Sequence, residues 1–121
     1  MKTINIDLGN GDRAELYEQL KHGTARKIQE VYQPYYGKPE YQAALAIADV
    51  KERIKALSRV FFQADLTRAT DVMILGQVKE WTFGEISQAV LDDMPEEKHQ
   101  ILAREANNLY EPPLAGSEAE S

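Results

Sequence analysis

The stretch DVMILGQVKEW, Asp71 to Trp81, places Val72, Met73, Ile74 and Leu75 in one unbroken apolar run. A helix drawn through them is apolar on nearly every side, and such a helix has to be covered all round. A chain of 121 residues is long enough to do this with one core and too short for two independent ones. Asp65 is suited to cap this helix, and Ile74, Val78 and Trp81 follow the i, i+4, i+7 spacing. The helix is therefore expected to run to Trp81, with the indole closing its last turn. Gly76 would cost about 1 kcal/mol relative to alanine in a helix interior, so its presence predicts close contact with another element.

The segments available to cover that helix differ in period. In TINIDLGNGDRAEL, Ile4, Ile6 and Leu8 alternate with polar residues before Gly9-Asn10-Gly11-Asp12. Alternation followed by residues that accept positive φ is the signal of a β-hairpin. The glycines lack the spacing and the Lys-Ser/Thr ending of a phosphate loop. Thr24 can cap a short helix in which Ile28, Val31 and Tyr32 share a face, interrupted by Pro34. From Glu40, Tyr41, Ala44, Leu45, Ala48, Ile54 and Leu57 recur near helical spacing and predict one further helix. Val60, Phe61 and Phe62 read as a short strand on propensity, although they could equally extend that helix.

After Trp81, Gly84 can release the chain, Ser87 can cap a short helix, and Ile86 can pack on Leu91 as a hydrophobic staple. Pro95 suits the first position of a terminal helix. Glu96 and Glu97 then lie where the helix dipole favours negative charge, and Leu102, Ala106 and Leu109 form its apolar stripe. These signals place Trp81 where three helices meet. The expected fold is α+β and mainly helical, an N-terminal β-hairpin packed on a small bundle of about four helices. Residues 1–113 form a single domain in this reading, and residues 114–121 a flexible, disordered acidic tail.

Charge excludes some partners. Residues 1–64 carry 10 Lys/Arg against 8 Asp/Glu, a balance of +2, and residues 65–121 carry 4 against 12, a balance of −8. Such a dipole is compatible with solvated helix faces, with head-to-tail self-association, or with a basic partner segment. Nucleic acid is not an expected partner, because counterion release needs clustered positive charge, and only Lys51, Arg53, Lys55 and Arg59 approach a cluster. Nor is a membrane, since no apolar run reaches the roughly 20 residues of a span and the N-terminus lacks a signal-like stretch. With no cysteine in the chain, disulfides and thiolate zinc sites are excluded, and the default location is cytoplasmic.

No catalytic constellation, cofactor-binding motif or metal site emerges. His22 and His99 have no metal-ligand spacing. Asp92-Asp93 and Glu96-Glu97 sit at helix starts, where capping accounts for them, and they lack the pattern of a calcium loop. Ser58 and Ser87 have no nucleophile-elbow context. The chain is expected not to be an enzyme. The candidate partner-binding residues are Tyr32, Tyr35, Tyr36 and Tyr110. Neighbouring loop tyrosines offer rigid apolar area with a polar tip, and they serve equally well as partly buried packing.

The run ADLTRATDVMILGQVKEWTF followed by ISQAVLDDMPEEKHQILAREANNLYEPP, together with the hairpin, resembles the tail assembly chaperones of long-tailed bacteriophages. In that group a helix ending in an aromatic, here Trp81, precedes an Ile-Ser-x-x-x-Leu turn and a Pro-initiated terminal helix. The similarity covers roughly residues 60–113. It implies a non-enzymatic protein, needing no cofactor, in the cytoplasm of the infected bacterial host. There it would coat the tape measure protein during tail assembly, a frameshifted longer product recruiting the major tail protein. Two other readings stay open: a structural head-tail or tail-completion component of the virion, and a small acidic regulatory or inhibitory protein that binds a host enzyme.

Overall fold

A computed structural model describes residues 1–110; the acidic tail expected at 114–121 lies outside the described residues. The fold is α+β and mainly helical, as the sequence predicts, with six α-helices among the described residues and a sheet of three strands. Strands β1 (Thr3–Gly9) and β2 (Asp12–Tyr17) form the expected hairpin. Asn10 at its tip has φ 54°, flanked by Gly9 at 87° and Gly11 at 84°, so the turn depends on residues that tolerate the left-handed region. The alternation of β1 buries Ile6 and Leu8 and leaves Asn5 and Asp7 exposed.

The third strand is a correction. Helix α4 (Gln63–Gln77) ends four residues before Trp81, and Val78–Trp81 is strand β3, antiparallel to β2 with Ala14 opposite Trp81. Without β3, the backbone groups that β2 turns away from β1 would lack a ladder partner. That demand arises more than 60 residues upstream, where helical spacing cannot register it. Trp81 remains a core residue, 8% exposed. Its indole N–H donates to the carbonyls of Gly84 (3.1 Å) and Glu85 (3.3 Å), and its ring meets Phe83 edge-on at 5.8 Å.

Other boundaries also move. Helix α1 (His22–Tyr32) starts after Lys21, so Thr24 is not its cap but a buried residue inside it. The single helix expected from Glu40 is two, α2 (Pro39–Leu45) and α3 (Val50–Val60). Asp49 starts the second by accepting the Glu52 N–H at 3.0 Å, a local cap that outcompetes continuous helix. No strand forms at Val60–Phe62: Val60 ends α3, Phe61 enters the core and Phe62 points outward. Asp65 sits in the first turn of α4, and Phe62 occupies the cap position.

Helix α5 (Gln88–Asp93) is capped by Ser87 as expected, its hydroxyl accepting the Val90 N–H at 3.3 Å. Ile86 is exposed while Leu91 is buried, so the apolar staple contributes little there. Helix α6 (Glu96–Leu109) follows Pro95, which takes the cap position rather than the first helical one, with Glu96 and Glu97 in its first turn. It packs on α4 and on β1, and its Leu102 and Ala106 are fully buried.

Two contacts lock these elements together. Gly76 lies against Thr24 of α1 so closely that a Cβ there would come within 2.3 Å of the threonine hydroxyl oxygen, the close approach its presence predicts. Gln77, 0% exposed, accepts the Lys21 N–H at 3.1 Å, donates to the Gln19 carbonyl at 2.7 Å, and lies 3.3 Å from the Tyr110 hydroxyl. That hydroxyl donates to the Tyr17 carbonyl. One buried amide thus joins the β2–α1 connection, α4 and the end of α6, with its polar groups satisfied. No helix among the described residues is long and apolar enough to cross a membrane.

Candidate partner-binding surface

The Phe61-Phe62 pair at the end of α3 organises the most chemically distinctive surface of the molecule. Adjacent residues in extended backbone point to opposite sides, and Phe61 has φ −84° and ψ 139° while Phe62 has φ −70° and ψ 142°. The chain cannot bury both rings in one core. Phe61 goes inward, with ring centroids 4.8 Å from Tyr32, 4.7 Å from Tyr35 and 6.0 Å from Tyr41. Phe62 is left 68% exposed.

Tyr35, in the 3-10 turn Gln33–Tyr35, holds the backbone at Phe62, and its ring lies 6.3 Å from the exposed one. Its hydroxyl accepts the Phe62 N–H at 3.2 Å and donates to the Asp65 carboxylate, which also pairs with Arg68 at 3.1 Å. The start of α4, which lacks a capping side chain of its own, is thereby held by a tyrosine from another element. Donation to Asp65 first, and burial second, push the Tyr35 hydroxyl above its ordinary pKa. Burial above all pushes Tyr32 to about 12. The Tyr35 hydroxyl acts as a hydrogen-bonding group, and the Tyr32 ring as packing.

A lysine lies beside Phe62. The Lys38 ammonium lies 4.9 Å from the Tyr35 ring centroid and 5.9 Å from that of Phe62, within range of a cation–π contact. Lys38 and Arg59 line a groove of about 380 Å³ with Glu40 and Val60. An exposed aromatic beside a lysine, its backbone held by a buried tyrosine, is a candidate protein-binding anchor.

The tyrosines singled out from the sequence take different places. Tyr32 and Tyr35 are buried beneath this surface and Tyr110 is buried in the Gln77 network; only Tyr36 is partly exposed, 5.2 Å from the Tyr41 ring. Burial leaves the first three rings no face to offer a partner in the isolated chain. Tyr32, Tyr35 and Tyr36 do lie in one region, and Tyr110 belongs to another. Sequence reasoning missed Phe62, Lys38 and Arg59. The available signal was the Phe-Phe pair itself, since an extended reading exposes one of the two rings.

The remaining candidates are accounted for by local bonding. The Ser58 hydroxyl donates to the Ile54 carbonyl at 2.8 Å. His22 lies 3.1 Å from the Arg26 guanidinium on an exposed face. His99 lies 3.0 Å from Asp71, whose other oxygen accepts from Gln88 at 3.1 Å, and Gln88 also donates to Asp92 at 2.9 Å. This cluster ties α4, α5 and α6 together. Among the described residues no group of three or more His, Asp or Glu side chains is placed to hold a metal ion.

The class these features define is a mainly helical α+β protein on an N-terminal antiparallel sheet, with one aromatic ring, Phe62, exposed beside its core. No protein-family model, curated protein or solved structure matches the chain.

Proposed function

We propose that this protein is a non-enzymatic binding protein that acts as a phage tail assembly chaperone, holding the tape measure protein during tail morphogenesis. The observation that carries the binding role is Phe62, exposed with its backbone held by Tyr35 and with Lys38 at its edge. An aromatic ring exposed beside a buried aromatic cluster offers a partner apolar area to cover, which supports a binding role. The phage setting is supported by the resemblance of residues 60–113, of which the Ser87-capped turn and the terminal helix after Pro95 fit the pattern. Trp81 departs from it, standing in a strand rather than at a helix end. A long amphipathic helix with acidic residues beside its apolar stripe is the kind of segment the surface suits.

Co-expression with the tape measure protein tests this reading. The tape measure protein should become more soluble and co-purify with the chaperone. Phe62→Ala should weaken the complex by about tenfold or more without lowering the melting temperature, because the ring is exposed. A partner that stays insoluble, with this protein instead found in finished particles, would establish the virion-component reading. Retention of full affinity by Phe62→Ala would move the binding surface elsewhere.

A further inference from the structure

The sheet, ordered β1-β2-β3, has two edges of unequal quality. Strand β3 is four residues long and its pairing with β2 shifts register between Glu15 and Leu16, whereas β1 spans seven residues. The Glu18 N–H donates to the Lys2 carbonyl at 2.8 Å, and the register continues through Thr3 opposite Tyr17 to Asp7 opposite Arg13. Bonded and non-bonded pairs alternate along an antiparallel ladder. Ile4 and Ile6 therefore turn their N–H and C=O groups toward β2, and Thr3, Asn5 and Asp7 turn theirs away. The far side of β2 agrees, since Thr82 donates its N–H to the Arg13 carbonyl at 3.1 Å. Among the described residues, no backbone group outside the hairpin pairs with the outward groups of Thr3, Asn5 and Asp7.

Protein edges are ordinarily blunted by proline, lysine or a bulge. The irregularity in β1 falls between Asp7 and Gly9 and there is no proline, so Thr3 to Asp7 is a regular, open edge. It opens into a groove of about 330 Å³ between β1 and α6, lined by Ile4, Asn5, Ile6 and Asp7 of the strand and by Ile101, Arg104 and Glu105 of the helix.

We propose that this edge pairs antiparallel with β1 of a second copy of the chain, on a twofold axis through Asn5, to make one continuous sheet. The segment Thr3-Ile4-Asn5-Ile6-Asp7 is symmetric in character about Asn5. Ile4 faces Ile6 of the second copy, Asn5 faces Asn5, and Thr3 faces Asp7, so no two carboxylates meet. Each bonded pair exchanges two hydrogen bonds, giving about six across the axis from the outward groups of both strands. The apolar pairs extend the core face of the sheet over the groove. There Arg104 and Glu105, 3.7 Å apart, bring charges of both signs from each copy.

The chain has no cysteine, so a single introduced thiol reports on the axis. Facing Cα atoms in a bonded pair are about 5.5 Å apart, within disulfide range. Under mild oxidation Asn5→Cys should run as a covalent dimer on a non-reducing gel. Asp7→Cys, whose copies would lie about 13 Å apart at the strand rise, should stay monomeric. The unmodified protein should sediment as a dimer, and Asn5→Pro as a monomer with an unchanged melting temperature, because the lost N–H points away from β2. The proposal is overturned if the unmodified protein is monomeric at every concentration tested, which would leave the edge to an extended segment of another protein. Equal cross-linking of the two thiol variants overturns it as well.

Discussion

Replacing Gly76 with alanine tests the packing of α1 on α4 directly. In an isolated helix the change would be favourable by about 1 kcal/mol, since glycine spends more backbone entropy. Here the added Cβ would lie 2.3 Å from Thr24 Oγ1, 2.8 Å from its Cγ2 and 3.0 Å from its Cβ. Contacts between non-bonded carbons are optimal near about 3.5–4.0 Å, so the helices have to separate by roughly an ångström. Thr24 is buried, β-branched and short, and cannot swing aside as the end of a long side chain would. Overpacking of this kind costs about 1–3 kcal/mol, occasionally more. At the upper part of that range, less the helix gain, the net loss is about 1–2 kcal/mol, or about 4–10 °C in melting temperature for a domain of this size. Chemical denaturation and calorimetry of Gly76→Ala give the number. Thr24→Ala removes the two closest contacts, so Gly76→Ala should be less harmful in that background by at least about 1 kcal/mol, a coupling read from the double-mutant cycle. A Gly76→Ala protein as stable as the parent, or more so, would refute the close approach of the two helices.

Further substitutions probe the rest of the interior. Gln77→Leu strands the Lys21 N–H and the Gln19 carbonyl, each costing about 1–3 kcal/mol, and urea denaturation should show a loss of about 2–6 kcal/mol. Trp81→Ala should cost about 3–5 kcal/mol, and an unchanged melting temperature would place the ring at the surface. The pH dependence has a definite sign on the alkaline side. The Tyr32 pKa is raised from 10.0 to about 12, so its contribution is complete below the unfolded value of 10.0. It is lost as pH rises through about 12. Stability measured by denaturant titration should fall across that window, and less steeply in Tyr32→Phe; equal slopes would show that Tyr32 ionises as freely in the folded chain as in the unfolded one.

Local signals set much of this fold. The alternation of Ile4, Ile6 and Leu8 before Gly9-Asn10-Gly11 specifies the hairpin, because a period of two and tolerance of positive φ are properties of neighbouring residues. The Ser87 cap and the acidic first turn of α6 are equally local, since the group satisfied lies within three residues of the one that satisfies it. The apolar run from Val72 to Leu75 required a surrounding core, and Gly76 announced a close neighbour without saying which. Identifying Thr24 as that neighbour took the tertiary structure.

Tertiary structure also decided everything that joins distant segments. Val78–Trp81 is a strand because β2, far upstream, has an unpaired side, and backbone demand of that kind leaves no mark in the periodicity of the responding segment. Tyr35 holds the start of α4 and Gln77 links three elements, although each looks in sequence like an ordinary loop tyrosine or helix-surface glutamine. The candidate surface follows the same rule. Two adjacent phenylalanines state that one ring must be outside when the chain is extended. Which ring that is depends on the site that Tyr32, Tyr35 and Tyr41 build for Phe61, a cluster assembled from residues as much as 29 positions away. Hydrophobic patterning is a one-dimensional record of burial, and it cannot encode which of two apolar neighbours the folded core has room to accept.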